Sequence, residues 1–280
     1  KYLNILVFGN TGQVGKELSR FKETTCIGRD ICDLKNWNDC YNYIIKQSPD
    51  AVINAAAYTA VDLAEKEELE AIKVNGFSPY YMAIACKELN IPFIHISTDY
   101  VFNGLKKTPY LEKDATFPIN AYGRSKLLGE SAIRDVGGSY VILRTSWVFA
   151  DSGKNFVSTI YSLTNKNSNL RVVRDQFGGP THAADIAKVC IEICDQLIKD
   201  NTKSGTYHFS GMPYVSWAKF AERIVSFSNN KVSIEGVSSE SYQSPTLRPL
   251  NSMLDCKLIE TVFGIMPSDW NKHISIMLKP

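Results

Sequence analysis

The sequence predicts an α/β protein: a doubly wound parallel sheet followed by a smaller, interleaved C-terminal α/β part. Three observations carry that prediction. Short apolar runs alternate with helical patterns through the first half of the chain, a glycine-rich turn stands between the first run and the first helix, and the rhythm loosens beyond Trp147.

Taken in order, residues 3–8 form a first strand that stops at Gly9, and a helix starts near Gly12 with Val14, Leu18 and Phe21 on one face. Residues 24–27 read as strand two and 37–46 as a helix, and Pro49-Asp50 punctuates before strand three at 51–54. A helix over 74–89 stops at Asn90, with Pro92 just beyond, and strand four covers 93–97. The helix at 121–134 is closed by Gly137-Gly138, and 140–144 makes strand five. The second half offers a helical segment at 155–164 and a short strand at 170–173. A helix follows Gly178-Gly179-Pro180-Thr181, burying Ile186, Val189, Cys190, Ile193, Cys194 and Leu197. Ser216 is placed to cap a helix over 217–227. The tail, with Pro245, Pro249 and Pro267, mixes short elements. The division expected is a sheet domain over 1–150 and a second part over 151–280, some of whose segments return to the first.

Composition excludes several classes. The 280 residues are 44% hydrophobic and 21% charged, enough to bury a large core without disulfides or a structural metal. A net charge of +2 gives no strong field toward nucleic acid or an anionic membrane. No apolar run approaches the roughly 18 residues that span a bilayer, and the opening residues pass into a strand without a signal-peptide pattern. The 7 cysteines include no C-x-x-C pair, so they read as buried thiols, and a cytoplasmic location is expected.

Gly9-Asn10-Thr11-Gly12-Gln13-Val14-Gly15 follows the first strand and opens the first helix. Glycines allow the tight bend and let backbone N–H groups approach a pyrophosphate. The spacing is G-x-x-G-x-x-G, which departs from the commoner G-x-G-x-x-G, so the turn alone is weak evidence. After strand two come Arg29 and Asp30, the first suited to a 2′-phosphate, the second to a free ribose 2′-hydroxyl. Asp33 has two open readings, the adenine end of a nucleotide or a cap on the next helix. The small residues Ala55-Ala56-Ala57 after strand three let the backbone lie close to a flat group.

Tyr122 and Lys126 are four apart on a helical pattern, hence on one face. A phenol with an ordinary pKa of about 10 is a poor acid at neutral pH, and a nearby ammonium is expected to lower that pKa. By itself Y-x-x-x-K is common by chance. Thr98 and Asp99 stand at the end of strand four, the edge where α/β sheets place ligands. A hydroxyl there suits a substrate carbonyl, against the plainer reading that both residues only cap the strand.

Set in order, these pieces resemble the extended short-chain dehydrogenase/reductases, and within them the dTDP-4-dehydrorhamnose reductase family. The further matching pieces are Asn54 to Asp62, Val74-Asn75, Ser97-Thr98-Asp99-Tyr100-Val101-Phe102-Asn103-Gly104, Arg144-Thr145-Ser146-Trp147, Asp175-Gln176-x-Gly178-x-Pro180-Thr181 and Arg248-Pro249-x-x-Ser252. The resemblance implies a Rossmann-type sheet domain, a substrate-binding C-terminal part, and NADPH- or NADH-dependent reduction of a dTDP-linked 4-keto-6-deoxyhexose. It implies Tyr122, Lys126 and Thr98 as the catalytic set. Gly9, Thr11, Gly12, Gln13, Val14, Gly15, Arg29, Asp30, Asp33 and Ala55 to Ala57 would hold the cofactor, together with Tyr122 and Lys126. Val61, Asp62, Thr98, Asp99 and Trp147 would hold the sugar, although Trp147 also reads as a core aromatic closing strand five. Two alternatives stay open: a reductase of opposite stereochemistry giving dTDP-6-deoxy-L-talose, and a non-catalytic nucleotide-binding regulatory subunit.

Some relatives are expected to dimerise around magnesium held by carboxylates. At the matching positions this chain keeps Glu17 and Asp269 but has Ala184, and the adjacent Asp185 is turned about 100° along the helix. A lost carboxylate weakens a magnesium site. No metal is therefore expected, nor a nucleic-acid or membrane partner, and the chain is expected to be a monomer or a homodimer held by other contacts.

Overall fold

The computed structural model describes residues 3–279; Lys1 and Tyr2, ahead of the first predicted strand, lie outside them. Six parallel strands form the central sheet: β1 (Ile5–Phe8), β2 (Thr24–Ile27), β3 (Ala51–Asn54), β4 (Phe93–Thr98), β5 (Tyr140–Thr145) and β6 (Gly205–His208). Their spatial order is β6-β5-β4-β3-β1-β2, so the winding reverses between β1 and β3. The register is set by Ile5 opposite Thr24 on one side and Ala51 on the other.

Alternate side chains feed two layers, as the two-residue strand period requires. Ile5 and Val7 point into a core shared with Val141, Leu143 and the helix Ala183–Lys199, which contributes Ile186, Cys190, Ile193 and Cys194. Leu6 and Phe8 point the other way, toward Cys40, Ile44, Met82 and Ile133 on three other helices. A third core, built around Phe149, Leu170, Phe220 and Trp270, holds the C-terminal part together.

Segments beyond residue 150 lie on the sheet, among them the helix Lys257–Phe263, whose Ile259 and Phe263 join its core. The helix Ala183–Lys199 covers one face, and β6 pairs in parallel with β5 from Gly205 opposite Val141. β6 reads poorly from sequence, because Gly205-Thr206-Tyr207-His208 is a short, half-polar edge strand.

Between β3 and β4 the helix expected over 74–89 is present as Ser78–Glu88, and short pieces that the sequence does not announce precede it. Helices Val61–Ala64 and Glu68–Ile72 lead through a π-turn at Lys73–Phe77 into the helix Ser78–Glu88. Such turns widen the helix by one residue and cluster at functional sites. Here the turn buries Asn75, whose Oδ1 accepts from the Tyr58 N–H at 2.8 Å and whose Nδ2 donates to the Tyr58 carbonyl at 3.0 Å.

Candidate active site

The carboxyl ends of β1, β3, β4 and β5 open into one cleft of about 880 Å3 across the switch point, where open α/β sheets take their ligands. Each glycine of the turn has its own reason. Gly9 has φ +104°, and a Cβ there would lie 2.9 Å from the Ala56 nitrogen. A Cβ on Gly15 would sit 1.5 Å from the Gly9 carbonyl oxygen, so this glycine lets helix and strand close on each other, away from the cleft. Gly12 faces open space, and Thr11, Gln13 and Val14 line the cleft beside it. Ala55, Ala56 and Ala57 form the opposite strip, fixed by the Ala55 N–H donating to the Phe8 carbonyl at 3.0 Å.

At the far end, Arg29 and Asp33 reach the cleft, whereas Asp30 folds back beside Gly28. Asp33 does not cap the next helix, since Asn36 holds that position; its Oδ1 instead accepts from the Lys35 N–H at 2.9 Å.

Tyr122 and Lys126 rise from the first turns of the helix Ala121–Val136, whose N-terminus Asn120 caps by accepting from the Gly123 N–H at 2.8 Å. The helix lies tight on the turn Asp99–Val101 that follows β4: a Cβ on Gly123 would be 2.2 Å from the Tyr100 carbonyl oxygen. Lys126 Nζ donates to the Ile96 carbonyl at 2.7 Å and lies 3.3 Å from His95 Nε2. Burial pulls the ammonium down to about 8, against the opposing charge of Glu130.

The Tyr122 ring is partly exposed along the cleft while its hydroxyl is desolvated. That burial, helped by the Asp99 charge, pushes the phenol above its ordinary value, against a hydrogen bond with Thr98. The expected lowering by Lys126 is thus corrected. The ammonium is spent on a β4 carbonyl, and the phenol stays protonated, ready to donate.

Thr98 Oγ1 accepts from the Tyr100 N–H and donates to Asp99 Oδ1, both at 3.1 Å. Burial raises Asp99 to about 7, against the hydroxyls of Ser252 and Thr98. Among the described residues Asp99 Oδ2 has no hydrogen-bond partner, nor do the buried Thr145 Oγ1, Gln13 Oε1 and Asn10 Oδ1. Unmet polar atoms around an alanine strip and an open glycine suit a flat, polar ligand such as a dinucleotide.

Of the residues expected to hold the sugar, Val61 lines the cleft, but Asp62 turns away to accept from Arg248 Nη2 at 3.2 Å. Trp147 has φ +48°, a left-handed conformation that costs a bulky residue about 1–3 kcal/mol. It is held by contacts on two sides. The indole stacks on Trp217 with centroids 3.5 Å apart, and a Cβ on Gly178 would come within 2.6 Å of it. Trp217 itself lines the cleft; sequence reasoning treated it only as the first residue after the Ser216 cap. Tyr100, edge-on to Tyr122 at 5.7 Å, was also missed, although it stands inside the Thr98-Asp99 motif.

The three carboxylates considered for magnesium have other engagements. Glu17 pairs with Arg20 at 3.0 Å, and Asp269 accepts from the Lys272 N–H at 3.1 Å. Asp185 accepts from Ser268 at 2.5 Å and stands 2.8 Å from His273 Nε2. Among the described residues no group of three His, Cys, Asp or Glu is placed to hold a metal.

The doubly wound sheet, the glycine turn under its switch point and the Tyr-Lys pair on the facing wall define a class, the Rossmann-type short-chain reductases. The RmlD substrate binding domain family matches residues 3–280. A dTDP-4-dehydrorhamnose reductase of Burkholderia thailandensis is 38% identical over 99% of this chain and 98% of its own. The spore coat polysaccharide biosynthesis protein SpsK of Bacillus subtilis is 37% identical over 96% and 95%. The crystal structure of dTDP-4-dehydrorhamnose reductase from Bacillus anthracis in complex with NADP superposes with a TM-score of 0.92, at 31% identity over 99% of both chains. The chain belongs to the dTDP-4-dehydrorhamnose reductase family.

Proposed function

We propose that this protein reduces the C4 keto group of dTDP-4-dehydro-L-rhamnose to give dTDP-L-rhamnose, using NADPH or NADH, in nucleotide-sugar biosynthesis for polysaccharide. The observation that carries the reading is the meeting of Tyr122, Thr98 and the buried Lys126 in one cleft, with Tyr122 and Lys126 one helical turn apart, in a chain of the reductase family. When bound, the nicotinamide cofactor supplies the hydride. Tyr122 gives its proton to the C4 oxygen, and Thr98 orients that oxygen toward it. Lys126 holds the nicotinamide ribose. Gly12, Thr11, Gln13 and Val14 receive the pyrophosphate over the Ala55–57 strip, with Arg29 and Asp33 at the adenosine end. Val61, Asp99 and the Trp147–Trp217 stack form the sugar wall, an apolar face suited to a methyl-bearing ring.

The sheet carries the cofactor half, and the 151–280 part closes the sugar side by setting Trp217 against Trp147, Val61 and Asp99 of the first part. No helix among the described residues is long and apolar enough to cross a membrane. Seven free cysteines fit a reducing, cytoplasmic setting.

The test is NADPH oxidation with dTDP-4-keto-6-deoxyglucose supplied through its 3,5-epimerase, with the product sugar identified by proton NMR. Rhamnose is expected. A talose product overturns the stereochemical assignment, and no oxidation overturns the catalytic reading in favour of a nucleotide-binding regulatory subunit.

A further inference from the structure

Beneath the cleft lies a buried ionic cluster that the reaction does not consume. Glu130 is fully buried one helical turn beyond Lys126, hence on the same face. Arg144 of β5 grips it with two bonds, Nε to Oε1 at 2.9 Å and Nη2 to Oε2 at 2.7 Å. Ser97 of β4 donates to Oε1 at 2.6 Å, and the half-exposed Arg134 reaches Oε2 at 3.2 Å. The helix is therefore latched to β4 at two successive residues, with Lys126 on the Ile96 carbonyl and Glu130 on the Ser97 hydroxyl. The residue after Ser97 is Thr98, and Arg144 lies three before Trp147. One carboxylate thus ties together the three elements that present Tyr122, Lys126, Thr98 and Trp147.

Among the described residues Lys126 has a carbonyl and an imidazole as hydrogen-bond partners and no carboxylate. A lone buried ammonium tends to shed its proton.

We infer that Glu130 is a positioning residue that keeps Lys126 charged and directed at the cleft, with Arg144 and Ser97 fixing its place. The inference rests on the reductase reading for the role of Lys126, but the charge relation does not depend on it. Burial favours neutral Glu130, yet Arg144, Ser97 and Arg134 together hold the carboxyl below its ordinary range, so it is ionised at neutral pH. Its field at Lys126 opposes the desolvation of the ammonium. The other groups facing this pocket are His95, kept neutral by burial and by Lys126, and His208, 3.3 Å from Arg144 Nη1 and lowered to about 3 by burial. Tyr122 and Asp99 face it from the cleft side, and Glu112 reaches the His208 N–H at 3.1 Å.

The experiment is a 15N-lysine NMR titration of the ligand-free protein, with the Lys126 signal assigned by its loss in Lys126→Arg. Glu130→Gln removes the negative charge and is expected to move the Lys126 midpoint down by about half a pH unit or more. Arg134→Gln, at a half-exposed site, removes a neighbouring positive charge while Arg144 and Ser97 still hold Glu130, and is expected to move it up. Ser97→Ala loosens the latch without changing charge, so it is expected to leave the midpoint in place and to lower kcat several-fold in the assay above. The pH at which NADPH affinity falls should follow the Lys126 midpoint in each variant. Coincident Lys126 midpoints in wild type, Glu130→Gln and Arg134→Gln overturn the inference; if Glu130→Gln does not fold, an unmoved Arg134→Gln midpoint does so alone. Shifted midpoints in a protein that binds no NADPH would uphold the charge relation and sink the reductase reading instead.

Discussion

Tyr122 and Asp99 carry opposite predictions from the same desolvated corner. Replacing Tyr122 with Phe removes only the hydroxyl proposed as proton donor, so NADPH affinity should stay within about twofold while turnover falls by roughly 10²–10⁴; a variant keeping a tenth of wild-type kcat would discredit the assignment. Asp99 is raised to about 7 by burial, from an ordinary value near 4 in the unfolded chain. The sign follows from linkage: the folded state holds the extra proton between those values, so this group's stabilisation is full below the unfolded pKa and is lost as pH rises through the folded one. Asp99→Asn should therefore stabilise the protein at pH 8 and progressively less toward pH 5. The measurement is Tm against pH for both proteins, and a gain that grows on acidification would reverse the reading. Its carboxylate, with one oxygen unpaired, is held at a cost to stability.

Elements show why one turn needs three glycines for two purposes. Gly15→Ala would drive a methyl into the Gly9 carbonyl and should unfold or strongly destabilise the chain, by several kcal/mol or more. Gly12→Ala meets nothing, so thermal stability should hold while NADPH affinity drops at least tenfold, because the methyl stands where the pyrophosphate would lie. Equal affinity in Gly12→Ala and wild type would place the phosphates elsewhere. These elements were legible in the sequence because their signals are local. β2 and β3 came out with the observed ends, and Ser216 caps its helix by accepting from the Lys219 N–H at 3.2 Å. What stayed hidden depends on long-range partners. β6 exists because β5 offers it an edge, and the π-turn at Lys73–Phe77 exists because Asn75 must reach Tyr58 and Ser125. In the site, Tyr122, Lys126 and Thr98 were visible as a pattern, whereas the direction of Lys126 and the partner of Asp62 are set by residues 30 and 186 positions away.

For the whole molecule, assembly is the open property with the clearest physical handle. Glu17, Asp185 and Asp269 are each committed to Arg20, to Ser268 and His273, or to a helix N-terminus, and Ala184 offers no ligand. Chelation should accordingly leave both the rate and the molecular mass unchanged, as light scattering and the NADPH assay in EDTA would register. A dimer that separates on chelation would mean that these carboxylates rearrange around a shared ion. The two parts of the chain are otherwise joined through packing, since the helix Ala183–Lys199 belongs to the sheet core and β6 completes the sheet from beyond residue 199. A cut between residues 150 and 151 would therefore leave neither piece whole.

The paired indoles also give the molecule an optical signature. Trp147 leaves β5 of the sheet, while Trp217 opens a helix of the C-terminal part, and they lie parallel at 3.5 Å, 10° from coplanar. Transition dipoles that close couple, so the protein should show an exciton couplet in circular dichroism that Trp217→Phe abolishes. Because each chromophore is anchored to a different part, that couplet is a native ruler of how the two halves sit on each other. A sugar nucleotide entering between wall and helix would change its amplitude without any added label.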